Sequence, residues 1–204
     1  MLKYVNLPFL KFKTINLPFE KSCMNRWLGI ILCLVIFAGC KKTDDVAASV
    51  KAQSAIDDAS LVAYIKANNL TAVQVGSPKT DTIGVWYVIE DPGTIPALYT
   101  SSTSVTVSYT ASVINGTTLG APFTSTTDSG FNPSYVLGAT IKGWQLGIEA
   151  AKINKGGKIR LLMSSRYAYG PYPQTQYGQY DNGNYKLPAN ALLDFEITIF
   201  DVTN

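Results

Sequence analysis

Histidine is absent from all 204 residues, and that one absence removes whole classes of chemistry. No Ser-His or Cys-His nucleophile pair can form, and no imidazole can hold zinc. The three cysteines, Cys23, Cys33 and Cys40, all fall in the first 40 residues. The rest of the chain therefore has no disulfide, thiolate metal site or redox thiol. Charge is sparse, with only 15% of residues Asp, Glu, Lys or Arg, and the formal +3 is misleading. Residues 1–39 carry Lys3, Lys11, Lys13, Lys21 and Arg26 against Glu20, which leaves 12 basic and 13 acidic groups elsewhere. Without a basic face, a nucleic-acid partner is not expected.

A long apolar run is also missing. The longest, Trp27 to Ala38, has 12 residues, where a membrane span needs about 20. It fits the core of a signal peptide, with Met24-Asn-Arg as its charged start. Phe37-Ala38-Gly39-Cys40 resembles a bacterial lipobox, in which the cysteine thiol accepts the lipid. The expected organisation is a leader over 1–39, with Met24 as the true start, then the lipidated Cys40 and a flexible tether over 40–54. A helical extension over 55–80 and a domain over 81–204 follow.

What is present is periodicity. SAIDDASLVAYIKANNL predicts a short helix capped by Asp57 or Asp58, with Leu61, Val62 and Ile65 on one side and Asn68-Asn69 closing it. From Thr82 the period changes to two, with Ile83, Val85, Tyr87 and Ile89 alternating until the turn Asp91-Pro92-Gly93. In SVTVSYTASVI, Val105, Val107, Tyr109, Ala111 and Val113 face one way and hydroxyl residues the other. Asn115-Gly116 is a turn, and the Thr/Ser/Gly stretch to Gly130 is a loop or an irregular edge strand. Trp144, Ile148 and Ala151 predict a helix over about 143–153, ended by Lys155-Gly156-Gly157. Strands over 158–164 and 193–202 complete the pattern. The expected class is α+β, an antiparallel sheet of about five strands wrapped on one short helix, preceded by a helix and strand.

Several motifs then occur in a characteristic order: Val107-Ser108-Tyr109-Thr110, Asn115-Gly116, Leu137-Gly138, Ile141-Lys142-Gly143-Trp144, Gly156-Gly157-Lys158, Tyr167-Ala168-Tyr169-Gly170 and Leu187-Pro188-Ala189-Asn190-Ala191-Leu192-Leu193-Asp194-Phe195. Over residues 100–203 the chain resembles the FKBP-type peptidyl-prolyl cis–trans isomerases, in particular lipid-anchored bacterial members of Bacteroidetes type. The resemblance implies rotation about Xaa-Pro bonds, which needs no cofactor and no metal. It also implies a site: Trp144 as the floor of an aromatic cup, Tyr109 and Phe195 as walls, Ile141 offering side chain and N–H, and Tyr169 offering its hydroxyl. Phe123 and Thr140 would contact substrate and Leu187 would line the rim. Taken singly, Trp144, Tyr109 and Phe195 are better explained by core packing; only their joint placement points to the cup.

The sequence departs from the family where Phe-Asp-Ser usually follows the Asn-Gly type of turn. Either Leu119-Gly120 or Phe123-Thr124 stands there, neither offers a carboxylate, and Asp128 lies farther along. Weaker catalysis than in a full-motif member is the expectation. The 16 residues Pro171–Lys186, with four tyrosines and three glutamines, match the family's flap but are longer. They are expected to overhang the sheet without packing on a core, either facing the client chain or as a solvent loop. The partners implied are proline-containing polypeptides and a membrane reached through Cys40, with a monomer in the bacterial cell envelope. The competing readings are a proline-binding chaperone of low turnover and a glycan-binding surface lipoprotein.

Overall fold

A computed structural model describes residues 42–76 and 84–204. The leader, Cys40 and Ile83 lie outside the described residues. The chain divides into a unit of residues 1–46 and a unit of residues 47–204. Apart from the start of the first helix, the elements all belong to the second unit.

That helix, α1, spans Lys42–Ala67 and is much longer than expected. The stretch read as a flexible tether is helical from residue 42 onward. Ala, Lys, Leu and Gln with no Gly or Pro over these 26 residues carry enough helix propensity to continue the spiral. At its far end Asn69 turns left-handed at φ 52. The N–H of Leu70 then reaches the carbonyl of Ile65 (3.0 Å) and that of Asn69 reaches Lys66 (3.3 Å), a Schellman closure. Asp57 and Asp58 do not cap the helix; they lie inside it. Its buried face is Asp57, Leu61 and Tyr64, whereas Val62 is exposed.

The sheet is antiparallel throughout. Five strands are long: β2 (Val85–Asp91), β3 (Ser104–Asn115), β4 (Thr118–Ser125), β6 (Lys158–Met163) and β7 (Leu193–Thr203). Two short ones, β1 (Val73–Gln74) and β5 (Ser134–Val136), bring the sheet to seven strands. The order is β1-β2-β6-β7-β3-β4, with β5 also on β3. β4 is the irregular edge strand, its register slipping at Ala111/Ser112 and again at Ser112/Ile114. Helix α2, Lys142–Ala151, lies across one face and buries Trp144, Ile148 and Ala151. It ends at Lys152, left-handed at φ 49, four residues before the glycine pair, which instead shapes the turn into β6.

Strand alternation serves two layers. Ile159, Leu161 and Met163 of β6 join the main core under α2, while Leu162 points to the other face, beside Leu61, Tyr64 and Ile114. Full burial of each such side chain contributes about 1.5–3 kcal/mol. The close approach of α2 depends on Gly147, where a Cβ would stand 2.6 Å from Leu161 Cδ2.

α1 is held by polar anchors as well. Asp194, buried on β7, accepts from Arg160 Nε at 2.9 Å on both carboxylate oxygens and is ion-paired with Arg160 Nη2. The Tyr64 hydroxyl donates to Asp194 Oδ2 (3.0 Å) and accepts from Arg160 Nη2 (2.8 Å). Asp57 Oδ2 accepts from the backbone N–H (3.0 Å) and hydroxyl (2.6 Å) of Ser165. Arg166 pairs with Asp58 at 2.9 Å. These last contacts clamp the turn that follows β6.

Candidate active site

Several parts of the fold converge on one cavity of about 350 Å³. β3 contributes Tyr109 and β7 contributes Phe195; their strands are neighbours, with Ala111 opposite Phe195 and Tyr109 opposite Ile197. The first turn of α2 contributes Trp144. The segment entering α2, anchored by β5, brings Tyr135, Val136, Ala139, Thr140 and Ile141 to the rim. The clamped turn after β6 brings Tyr169.

Trp144 is only 4% exposed and three rings stand edge-on to it. Tyr109 lies at 5.3 Å and 89°, Phe195 at 5.5 Å and 87°, and Tyr135 at 6.0 Å and 89°. Edge-to-face contacts at such distances pair the positive edge of one ring with the negative face of another. The result is a rigid apolar box whose base is the indole. Its Nε1 is buried and makes no hydrogen bond among the described residues.

Two donors are positioned at the rim. Ile141 occupies the N-cap of α2 in extended conformation (φ −61, ψ 150), and among the described residues its N–H makes no hydrogen bond. The segment before it is fixed: Thr140 Oγ1 donates to Leu137 O (2.7 Å), and Gln145 Nε2 donates to Thr140 O (2.8 Å). The Tyr169 hydroxyl lies 2.9 Å from that of Tyr177. Burial, then the bond to Tyr177, pushes the Tyr169 phenol well above its ordinary value. Burial, aided by Tyr109, pushes Tyr135 up to about 12. Both therefore keep their protons at neutral pH. Among the described residues no carboxylate or cationic side chain lines the cavity, and Asp128 is not part of it. Among them, too, no group of three or more His, Cys, Asp or Glu could hold a metal.

Of the residues singled out from sequence, Tyr109, Thr140, Ile141, Trp144, Tyr169 and Phe195 line the cavity. Phe123 and Leu187 do not. Phe123 is buried behind the wall, perpendicular to Phe195 at 6.4 Å and to Tyr177 at 4.9 Å. It backs the site, and the neighbouring Thr124 is the residue that reaches it. Leu187 is 0% exposed, so it is a core anchor of the flap and not a rim residue: its carbonyl accepts from Gln174 N–H at 3.0 Å. Sequence reasoning missed Tyr135, Val136, Ala139, Thr124 and Tyr177. β5 has three residues, too few to show alternation. Tyr177 sits in a stretch without aliphatics, where the following turn glycine, Gly178, was the available cue.

Residues 97–200 match the family model described as FKBP-type peptidyl-prolyl cis-trans isomerase. An FKBP-type peptidyl-prolyl cis-trans isomerase FkpA from Buchnera aphidicola is 33% identical over 129 residues, 63% of this chain and 44% of that protein. The chain thus spans less than half the length of that relative. FK506-binding protein 1 of Candida glabrata is 34% identical over 102 residues, 48% of this chain and 75% of the relative. The crystal structure of FkpA from Escherichia coli superposes with a TM-score of 0.53 at 24% identity, covering 91% of this chain and 74% of that one. The ring box and a family match over half the length of the chain agree: it belongs to the FKBP-type peptidyl-prolyl cis-trans isomerase family.

Proposed function

We propose that this protein accelerates rotation about Xaa-Pro bonds in exported polypeptides, held in the cell envelope by a lipid on Cys40. The observation that carries the reading is the uncharged box of Trp144, Tyr109, Tyr135 and Phe195 with donors at its rim. The barrier to be lowered is about 18–20 kcal/mol and arises from resonance across the C–N bond. Water stabilises the charge-separated resonance form. Moving the imide into a dry aromatic cavity removes that stabilisation, so the twisted transition state is disfavoured less than the planar ground state. The proline ring occupies the box over Trp144, and the N–H of Ile141 and hydroxyl of Tyr169 hold flanking carbonyls, fixing one side of the rotating bond. No bond is made or broken, so neither nucleophile nor metal is required.

The export setting rests on the leader and lipobox-like Cys40 in the sequence. The test is a protease-coupled assay on a prolyl peptide, with Trp144→Leu as the variant that stays apolar but removes the indole and opens the box. Acceleration by the wild type and a loss of tenfold or more in the variant support the reading. One observation favours a second reading, a proline-binding chaperone: among the described residues, the cavity has no carboxylate of the kind usual in the family. No acceleration, together with binding of proline-rich peptides, would select it.

A further inference from the structure

Tyr177 belongs to none of the elements that build the box, yet it lines the cavity. It sits in the flap Pro171–Lys186, and it is held there from three directions. The 3-10 turn Thr175–Tyr177 is closed by Gly178 N–H to the Thr175 carbonyl at 3.0 Å, and Gly178 leaves it at φ 76. The turn is tied to the core through Gln174 N–H and the carbonyl of fully buried Leu187, at 3.0 Å. The ring meets Phe123 edge-on at 4.9 Å and 75°. So placed, its hydroxyl stands 2.9 Å from that of Tyr169, with the rings at 6.0 Å and 74°.

We infer that Tyr177 is a positioning residue for the site: once Tyr169 gives its own proton to a substrate carbonyl, the Tyr177 hydroxyl turns to donate to the Tyr169 oxygen, a sense open to the pair because either oxygen can be the donor. The inference rests on the isomerase reading and deepens it. A phenol carries one proton and can also accept, so both bonds coexist at Tyr169. Hydroxyls in a chain polarise one another, which makes Tyr169 the stronger donor. No carboxylate among the described residues lines the cavity to orient this hydroxyl, and a second phenol does it without bringing charge into a site that must stay dry. The opposite role, a lid that occupies Tyr169 until displaced, would leave the ring free to swing out. Here the ring is packed into the wall through Phe123, which itself packs on Phe195.

The experiment is a double-mutant cycle on the full-chain protein. The value of kcat/KM is measured on one prolyl peptide for wild type, Tyr177→Phe, Tyr169→Phe and the double variant. Phe at 177 keeps the contact with Phe123 and removes only the oxygen. Tyr177→Phe is expected to lower kcat/KM about three- to tenfold, chiefly through kcat, with an unchanged melting temperature. In the Tyr169→Phe background the same change is expected to do nothing further. Independent, multiplying losses would mean that the two hydroxyls do not act as a unit, and the inference fails. A gain in activity would make Tyr177 a lid, and no change a bystander; either overturns it. A wild type without activity sinks the isomerase reading itself, and the inference with it, a result distinct from an active wild type insensitive to residue 177.

Discussion

Tyr135 and Tyr169 donate hydrogen bonds only while they hold their protons, and burial makes them hold on. The same is true of Tyr64 and Tyr99 in the core, each pushed up from 10.0 to about 12, chiefly by burial. A folded-state value above the unfolded one means that the protonated ring is the form the fold favours. The stability tied to these phenols is therefore complete below pH 10 and is lost as the pH climbs towards about 12. Melting temperature is expected to be level from about pH 6 to about pH 9 and to fall steeply beyond about pH 10. The proposed isomerase activity should share the plateau, because the chain has no histidine and, among the described residues, no carboxylate lines the cavity. A bell-shaped profile with a limb near neutrality would contradict this. Of the side chains that form the box, Trp144, Tyr109 and Phe195 were legible in the sequence because each lies within an ordered motif, whereas Tyr135, on a three-residue strand, was not. Phe123 and Leu187 were misplaced by one layer, since residue type and motif position do not reveal which neighbour stands in front.

At the scale of elements, α2 and β6 are fitted to each other through glycine. Replacing Gly147 by alanine gains about 1 kcal/mol in helix propensity. It also drives a methyl against Leu161, which is fully buried and has nowhere to go, and overpacking of this kind costs about 1–3 kcal/mol. Net destabilisation in urea is expected, together with weaker peptide binding, because Trp144 rides on the same helix. α1 depends on a different device. Asp194→Ala strands the Arg160 guanidinium beside Tyr64, and the loss expected in chemical denaturation is about 3–5 kcal/mol. β3, β6, β7 and α2 could be read from the chain because one face of each is strictly apolar. α1 could be read only in part: Asp57, Leu61 and Tyr64, its buried face, all lie in its second half, so no apolar rhythm marks the first.

For the molecule as a whole, the proposed lipid on Cys40 and the proposed isomerase site are expected to be separable. Cys40→Ser is expected to abolish incorporation of labelled palmitate while leaving kcat/KM of the protein unchanged. A substantial fall in kcat/KM would tie the anchor to the chemistry. The seat of α1 has a further consequence, for the order of events in time. Tyr64 reaches Asp194 across 130 positions and Asp57 reaches Ser165 across 108. Synthesis delivers α1 first, yet it has no berth until β6, β7 and the clamped turn have been made and the sheet assembled. Contacts of such long sequence separation must close large loops before they return any stabilisation, and chains dominated by them fold slowly. A protein that we propose hastens a slow step for others is thus itself a slow assembler, with its first helix among the last pieces to find its place.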